Sequence, residues 1–195
     1  MNNLLFVLTL CAVLGCGLMA GVFFAFSTFV MRALARLQPA QGIEAMQSIN
    51  RTVINPWFLG VFLGTAAVCI LLAGTALWRW QQPGATYLLA GSLLYLIGTV
   101  LVTMAFNVPM NKALENVDPA SNDAASQWDS YLTKWTAWNH VRTVSALLGA
   151  TSLMLALWQG GMCGNSYPSV SVGNQPPVAC NGVGLPCSLT QTATP

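Results

Sequence analysis

Long stretches without a charged side chain constrain the fold of this chain more than any other feature. No Asp, Glu, Lys or Arg occurs in residues 1–31, 52–78 or 81–111. Each stretch is long enough for an apolar helix of about 20 residues, the length that crosses a hydrocarbon core. Charged residues make up roughly 25% of a typical soluble domain but only 6% of this 195-residue chain. We therefore predict an all-α integral membrane protein.

Apolar segments predict a bundle of four membrane-spanning helices within residues 1–160. The predicted spans cover about residues 4–30, 56–77, 85–106 and 138–158. The fourth span is the end of a longer helix, because Asp118-Pro119 is typical of a helix start and nothing in residues 124–157 breaks a helix. This long fourth helix outreaches the bilayer, so its first turns are predicted to extend into the cytoplasmic interface.

Basic residues indicate the orientation of the bundle. Six of the seven Lys and Arg side chains lie in or beside the two long loops, whereas Arg79 alone lies in the short loop on the opposite side. Because basic loops remain in the cytoplasm, we predict that both long loops are cytoplasmic and that both termini lie outside. The first span lacks the basic start and the short apolar run of a signal peptide, so we expect it to be retained.

Composition and motifs exclude several classes of function. A net charge of +2 in separate loops forms no stripe that could follow nucleic-acid phosphates, and spans with almost no acidic residues argue against an ion-coupled transporter. A single histidine and the lack of a Cys-x-x-Cys motif give no metal site, and no cofactor is expected. Residues 161–195 lack charge and periodicity, which predicts a flexible tail; a disulfide between two of its cysteines is left open.

Glycine pairs one helical turn apart predict close contacts between helices. They occur at Gly17 and Gly21 in the first span and at Gly60 and Gly64 in the second. Small residues at this spacing let helix backbones approach one another in lipid. We interpret both pairs as packing within the bundle, with a homo-oligomer interface as the alternative.

Four asparagines lie where the second span begins and the third ends: Asn50, Asn55, Asn107 and Asn111. Each pair lies near a proline, and amide side chains can satisfy the backbone groups that a proline leaves free. The asparagines therefore either cap helix ends or converge on a ligand. Because all four are predicted at one depth, we interpret them as candidates for substrate binding.

The long fourth helix carries a stripe of aromatic and polar side chains. Its members follow one another in steps of 3, 4, 4 and 3, which keeps them on one helix face: Trp128, Tyr131, Trp135, Asn139 and Arg142. An apolar run of about one membrane thickness follows Arg142, and a guanidinium buried there needs a partner. That partner is either a network of asparagines and backbone carbonyls or an anionic oxygen of a ligand.

His140 is the only histidine of the chain. It lies about 100° around the helix from Asn139, so it is predicted to face a neighbouring helix or the wall of a cavity. A lone histidine is often a hydrogen-bonded structural residue. Since imidazole titrates near neutral pH, His140 is also a candidate general base.

Several separate motifs resemble those of one family. They are AGVFFAFSTFVM at residues 20–31, AMQSIN at 45–50, NPWF at 55–58, FNVPMN at 106–111 and residues 128–143. Together they resemble bacterial members of the anthrone oxygenase-like family of small membrane proteins, over about residues 1–160, which implies a location in the bacterial inner membrane. The resemblance implies a four-helix membrane bundle and, for some fungal members, oxidation of an anthrone to an anthraquinone by O₂ without a metal or flavin.

This chemistry requires a base for an acidic C–H, a cation or donor for the developing oxyanion, and aromatic walls for a planar substrate. We therefore predict a cofactor-independent oxygenase of a lipophilic aromatic compound, anthrone- or quinol-like. His140 is the predicted base. The oxyanion is predicted to be stabilised by Arg142 together with Asn139, Asn107 and Asn111. The substrate is predicted to lie against Trp128, Tyr131 and Trp135, with Asn50 and Asn55 as further contacts. The alternative is a non-enzymatic membrane protein that binds or passes a small lipophile, with these polar residues structural.

Overall fold

Residues 3–162, which the computed structural model describes, form five helices and no strand. These are α1 (Asn3–Leu34), α2 (Pro39–Thr52), α3 (Pro56–Trp78), α4 (Ala85–Glu115) and α5 (Ala124–Met162). Four of them, α1, α3, α4 and α5, are long and apolar enough to cross a membrane. The prediction of an all-α, four-span membrane protein is confirmed. The cysteines of the predicted tail lie outside the described residues.

Local sequence signals explain where the helices begin. Pro56 is the first residue of α3, and the Asn55 side chain accepts hydrogen bonds from the N–H groups of Trp57 and Phe58, both at 3.0 Å. Gly84 precedes α4 with a φ of +85°, a backbone conformation that glycine adopts without a steric penalty.

The predicted start of the last helix at Asp118-Pro119 is wrong. The Asp118 carboxylate accepts a hydrogen bond from the N–H of Ala120 at 3.0 Å, and its carbonyl accepts from Ser121. These bonds close a turn, so the helix begins only at Ala124. With 39 residues, α5 is nevertheless about 58 Å long, longer than a bilayer core is thick.

α4 continues beyond residue 106, the predicted end of the third span, and contains Pro109. A proline ring inside a helix clashes with the carbonyl four residues earlier. Two π-helical segments, Leu96–Leu101 and Thr103–Asn107, lie directly before it. Their wider turns relieve this clash, and α4 remains one helix. A third π-helical segment, Phe26–Val30, interrupts α1.

Two apolar cores hold the helices together. The first lies among α1, α3, α4 and α5 and contains the buried residues Cys16, Cys69, Leu72, Tyr95 and Leu153. The second lies where α2 packs against the ends of α1 and α4 and the start of α5, and contains Met31, Ile43, Met46, Leu114 and Trp128. Along α1, α4 and α5, a stretch of polar side chains lies between the two cores.

The predicted glycine pairs do not pack within the bundle. A Cβ added at Gly17, Gly21, Gly60 or Gly64 would meet no atom within 4 Å. The close approaches occur elsewhere, at Gly15 against Thr65, Gly91 against Leu153 and Gly98 against Ser145. The spacing of two glycines defines a helix face, but the neighbouring helices lie against other faces of α1 and α3.

Alanine at position 98 is expected to destabilise the bundle. The added Cβ would overlap the Ser145 side chain, and separating α4 from α5 costs about 1–3 kcal/mol, more than the roughly 1 kcal/mol that alanine gains over glycine in a helix. Thermal unfolding in detergent measures this loss. Gly17→Ala, at a position with open space, should unfold at the wild-type temperature or slightly above it. Equal melting temperatures for the two variants would contradict the packing described here.

Candidate functional site

A layer of polar side chains, here called the polar layer, separates the two apolar cores. Its members come from three spanning helices, and all are buried except the half-buried Thr103: Ser27 from α1, Thr103 and Asn107 from α4, and Asn139, Arg142 and Thr143 from α5. Two of the three π-helical segments contribute to it, because Ser27 lies in Phe26–Val30 and Thr103 and Asn107 lie in Thr103–Asn107. Such segments are rare and occur frequently at functional sites.

Arg142 is the central residue of the polar layer and is only 5% exposed. One terminal nitrogen donates to Asn139 Oδ1 at 2.6 Å, and the other donates to Thr103 Oγ1 at 3.4 Å. The guanidinium carbon lies 4.4 Å from the centre of the Phe23 ring and 5.0 Å from that of Trp135. Within residues 3–162, no carboxylate pairs with this cation. Aromatic faces and neutral oxygens therefore take the place of a counter-ion.

Two buried atoms of opposite hydrogen-bonding character remain without a partner in this layer. Within the described residues, the Nε–H of Arg142 finds no acceptor and Asn107 Oδ1 finds no donor. The Asn107 Nδ2 donates to the carbonyl of Trp135 at 3.3 Å, which leaves the amide oxygen as the free end. Asn107 is 1% exposed. Leaving such groups unpaired is costly, so a ligand bound here would offer an acceptor to Arg142 and a donor to Asn107.

Asn139 connects α1 to α5 and fixes the orientation of Arg142. Its Nδ2 donates to the Phe23 carbonyl and to Ser27 Oγ, both at 2.7 Å, while its Oδ1 accepts from Arg142. Ser27 Oγ also lies 3.2 Å from the Thr143 hydroxyl. The amide is fully buried and fully used within the protein. It positions the cation and is not itself free for a ligand.

The aromatic stripe of α5 lies on the side of the polar layer that faces α2. Tyr131 stacks between Trp128 and Trp135, with ring centres 5.7 and 6.1 Å away. Asn111 of α4 accepts two hydrogen bonds with its Oδ1, from the Tyr131 hydroxyl at 2.8 Å and from Trp135 Nε1 at 2.7 Å. Asn50 lies beside the same hydroxyl.

Trp128 anchors α2 against the stripe. A Cβ at Gly42 would lie 2.8 Å from the indole ring, so only glycine lets α2 approach this closely. The Trp128 side chain is 2% exposed. The contact closes the α2 side of the stripe.

Steps of four residues connect the polar side chains of α4. They are Thr99, Thr103, Asn107 and Asn111, of which the last three contact α5. A four-residue step overshoots one α-turn of 3.6 residues but falls short of one wider π-turn. The two π-helical segments of α4 thus offset this drift and keep the side chains directed at α5.

Two of the residues predicted from the sequence lie apart from Arg142. Asn55 caps α3, and its Nδ2 donates to the Thr52 carbonyl at 3.0 Å, so its amide groups are used in the helix start. His140 is exposed and points about 200° around α5 from Arg142, since the two are separated by two residues. It lines an open groove of about 400 Å³ between α1 and α5.

Sequence reasoning missed three residues that contact the core of the site: Phe23, Ser27 and Thr103. Two signals could have identified them. Phe23 and Ser27 lie one turn apart on α1, and Thr103 belongs to the four-residue steps that lead to Asn107 and Asn111. Because all three residues lie far from α5 in the sequence, their contact with the α5 side chains could not be predicted from spacing.

A family model matches the part of the chain that carries most of the polar layer. The family model for anthrone oxygenase matches residues 56–152, about half of the chain. The match includes α3, α4 and most of α5, and therefore Asn107, Asn111, Asn139 and Arg142. No curated protein and no solved structure matches the chain. With four apolar spanning helices and this match, the chain belongs to the anthrone oxygenase-like family of small membrane proteins.

Proposed function

We propose that the protein is a cofactor-independent oxygenase of a lipophilic aromatic compound, anthrone- or quinol-like, and that it holds the substrate oxygen at Arg142. One observation carries the proposal: a buried guanidinium lies between two aromatic rings, without an acidic partner among the described residues and with a free Nε–H. A cation in a low-dielectric site stabilises a developing oxyanion far more strongly than the same cation in water.

The unpaired atoms favour an enol or phenol over other oxygen ligands. A hydroxyl oxygen can accept from Arg142 Nε and donate its own hydrogen to Asn107 Oδ1. A ketone or a carboxylate only accepts, so either would leave the Asn107 oxygen without a donor. An anthrone in its enol form meets both requirements, and its apolar rings can enter from the bilayer.

The reaction follows from holding the enol. The electron-rich ring carbon opposite the enol oxygen forms a C–O bond with O₂, while the enol O–H bond breaks and its proton moves to the peroxide oxygen. The same ring carbon then loses its hydrogen as the O–O bond breaks, which gives a second ketone and releases water. O₂ is the oxidant, with one atom in the product and one in water. Arg142 stabilises the negative charge that develops on the substrate oxygen as the enol O–H bond breaks.

His140 is assigned no part in this reaction. A base that removes the substrate proton must contact the same molecule that Arg142 binds, whereas α5 itself lies between the two side chains. The hydrogen bond from the enol to Asn107 and the stabilisation of the anion by Arg142 replace the separate base that we expected from the sequence.

The substrate reaches the site from the leaflet near the long loops. The polar layer lies toward the ends of α1 and α4 that carry Arg32 and Lys112, and basic loops remain on the cytoplasmic side of a bacterial inner membrane. The partner in this proposal is thus a small lipophile dissolved in the inner leaflet.

Oxygen consumption by the purified chain in lipid nanodiscs tests the proposal. With an anthrone we expect one O₂ consumed per molecule, the corresponding quinone as product, and one atom of ¹⁸O₂ in its new carbonyl. The O-methyl ether of the enol has no hydroxyl hydrogen and should be neither oxidised nor an effective inhibitor. Consumption no faster than in empty nanodiscs would contradict the proposal.

A second candidate function is a non-enzymatic protein that binds a small lipophile. One observation favours it: Asn139 is fully paired and holds Arg142 by a bond of 2.6 Å, as in a structural network. This candidate predicts binding of an anthrone without oxygen consumption, and a polar layer whose main effect is on stability.

A further inference from the structure

The groove between α1 and α5 gathers basic and hydroxyl side chains, most of them outside the polar layer. Arg32 and His140 line it together with Ser27, Thr133 and Thr136. No Asp or Glu is among its lining residues, and within residues 3–162 Arg32 forms no ion pair. Thr133 already donates to the Asp129 carbonyl, and Ser27 is hydrogen-bonded to Asn139 and Thr143. The donors available are therefore a guanidinium, an imidazole and the Thr136 hydroxyl, a set that suits an anion with several acceptor oxygens, such as a phosphate.

The position of the groove indicates an amphiphilic ligand. Arg32 lies in the last turn of α1, where the apolar span ends, and α1 and α5 both span the membrane. The rest of the lining is apolar, including Met31 and Leu132. An anionic head at Arg32 would therefore have its apolar part beside the helices in the bilayer.

We propose that this groove binds the phosphate head of an anionic phospholipid from the surrounding membrane. Arg32 supplies the fork of N–H donors, and His140 and Thr136 donate to the remaining phosphate oxygens. A phospholipid fits better than a free anion, because the apolar part of the lining needs to be covered and the groove opens beside two spanning helices. The inference is independent of the proposed oxygenase activity.

The same groove is linked to the polar layer through Ser27. This serine is 6% exposed, lines the groove and accepts a hydrogen bond from Asn139. A bound lipid head covers Ser27 and holds α1 against α5, so it stabilises the folded bundle in proportion to its occupancy.

Native mass spectrometry of the full chain tests the proposal. In detergent with equal phosphatidylglycerol and phosphatidylcholine, we expect roughly fivefold greater retention of phosphatidylglycerol, the factor typical of one basic residue near a membrane surface. Arg32→Gln should abolish this preference and the accompanying rise in melting temperature, and His140→Gln should reduce both. Arg36→Gln is the matched control: Arg36 is exposed on the next turn but does not line the groove, so the preference should remain.

Three outcomes would overturn the proposal. Equal retention of the two lipids would show that the groove does not select an anionic head. An equal effect of Arg36→Gln and Arg32→Gln would show diffuse attraction to the loop. Displacement of phosphatidylglycerol by millimolar inorganic phosphate would show that the site takes a free anion.

Discussion

Glutamine in place of Arg142 is expected to slow oxygen consumption with an anthrone by about 100-fold or more, the usual effect of removing one oxyanion donor. Glutamine retains a polar side chain near Asn139 but has no positive charge and no guanidinium plane between Phe23 and Trp135. The measurement is the initial rate in nanodiscs at saturating substrate. Arg79→Gln is the matched control, because Arg79 is an exposed arginine that follows α3, away from the polar layer, and its rate should stay within about twofold of wild type.

The stability of an Arg142 variant separates a catalytic role from a structural one. A buried cation without a counter-ion costs desolvation energy, and an apolar side chain of similar volume is often neutral or stabilising in its place. Against this, methionine leaves Asn139 Oδ1 without a donor, at a cost of about 1–3 kcal/mol. We therefore expect Arg142→Met to lose activity but to unfold near the wild-type temperature. A large fall in melting temperature with retained oxygen consumption would support the structural alternative.

Alanine at position 139 is expected to cause the largest loss of stability among single substitutions in the polar layer. The change removes the bonds from Asn139 to the Phe23 carbonyl and Ser27 and leaves Arg142 without its shortest hydrogen bond. Buried groups that lose their partners cost about 1–3 kcal/mol each, so the total loss is about 4 kcal/mol. In a chain of this size that lowers the melting temperature by about 10 °C.

Asn116→Ala is the control for this change. Asn116 is exposed at the end of α4 and forms one hydrogen bond, to the Lys112 carbonyl at 3.0 Å. Its replacement should shift the melting temperature by no more than about 2 °C. If Asn139→Ala and Asn116→Ala unfold at the same temperature, Asn139 does not connect α1 to α5 as described.

The fold could be predicted because long stretches without charged side chains mark membrane spans directly. Residues 52–78 and 81–111 carry no charge. α3 lies within the first stretch, and most of α4 lies within the second. The start of α5 could not be predicted from Asp118-Pro119, since the same side chain that caps a helix also closes a turn. Which of the two forms depends on the packing of the residues that follow.

Helical periodicity in the sequence could identify the aromatic stripe, but it could not identify the residues that pack against the stripe. Steps of three and four residues align Trp128 with Arg142 on one face of α5, and both side chains are buried. Helical spacing says nothing about which helix packs against that face. Phe23 and Ser27, more than a hundred residues earlier in the chain, therefore could not be assigned to Arg142 from the sequence.

His140 illustrates the same limit. Because His140 and Arg142 are two residues apart, their side chains are predicted to point in opposite directions from α5. Both side chains could still have faced one cavity if that cavity had wrapped around two sides of the helix. The close packing of α1 and α4 against α5 through Asn139 and Thr103 removes that arrangement. The same packing directs His140 into the groove with Arg32.

Absorption spectroscopy without O₂ tests the central claim most directly, because it observes the substrate at Arg142 before any oxidation. The enol or enolate of an anthrone absorbs at longer wavelength than the ketone, since its conjugation extends over all three rings. Wild-type protein and His140→Gln should both produce the long-wavelength band on anaerobic addition of an anthrone, and Arg142→Gln should not. A band that persists in Arg142→Gln, or one that disappears in His140→Gln, would contradict the account.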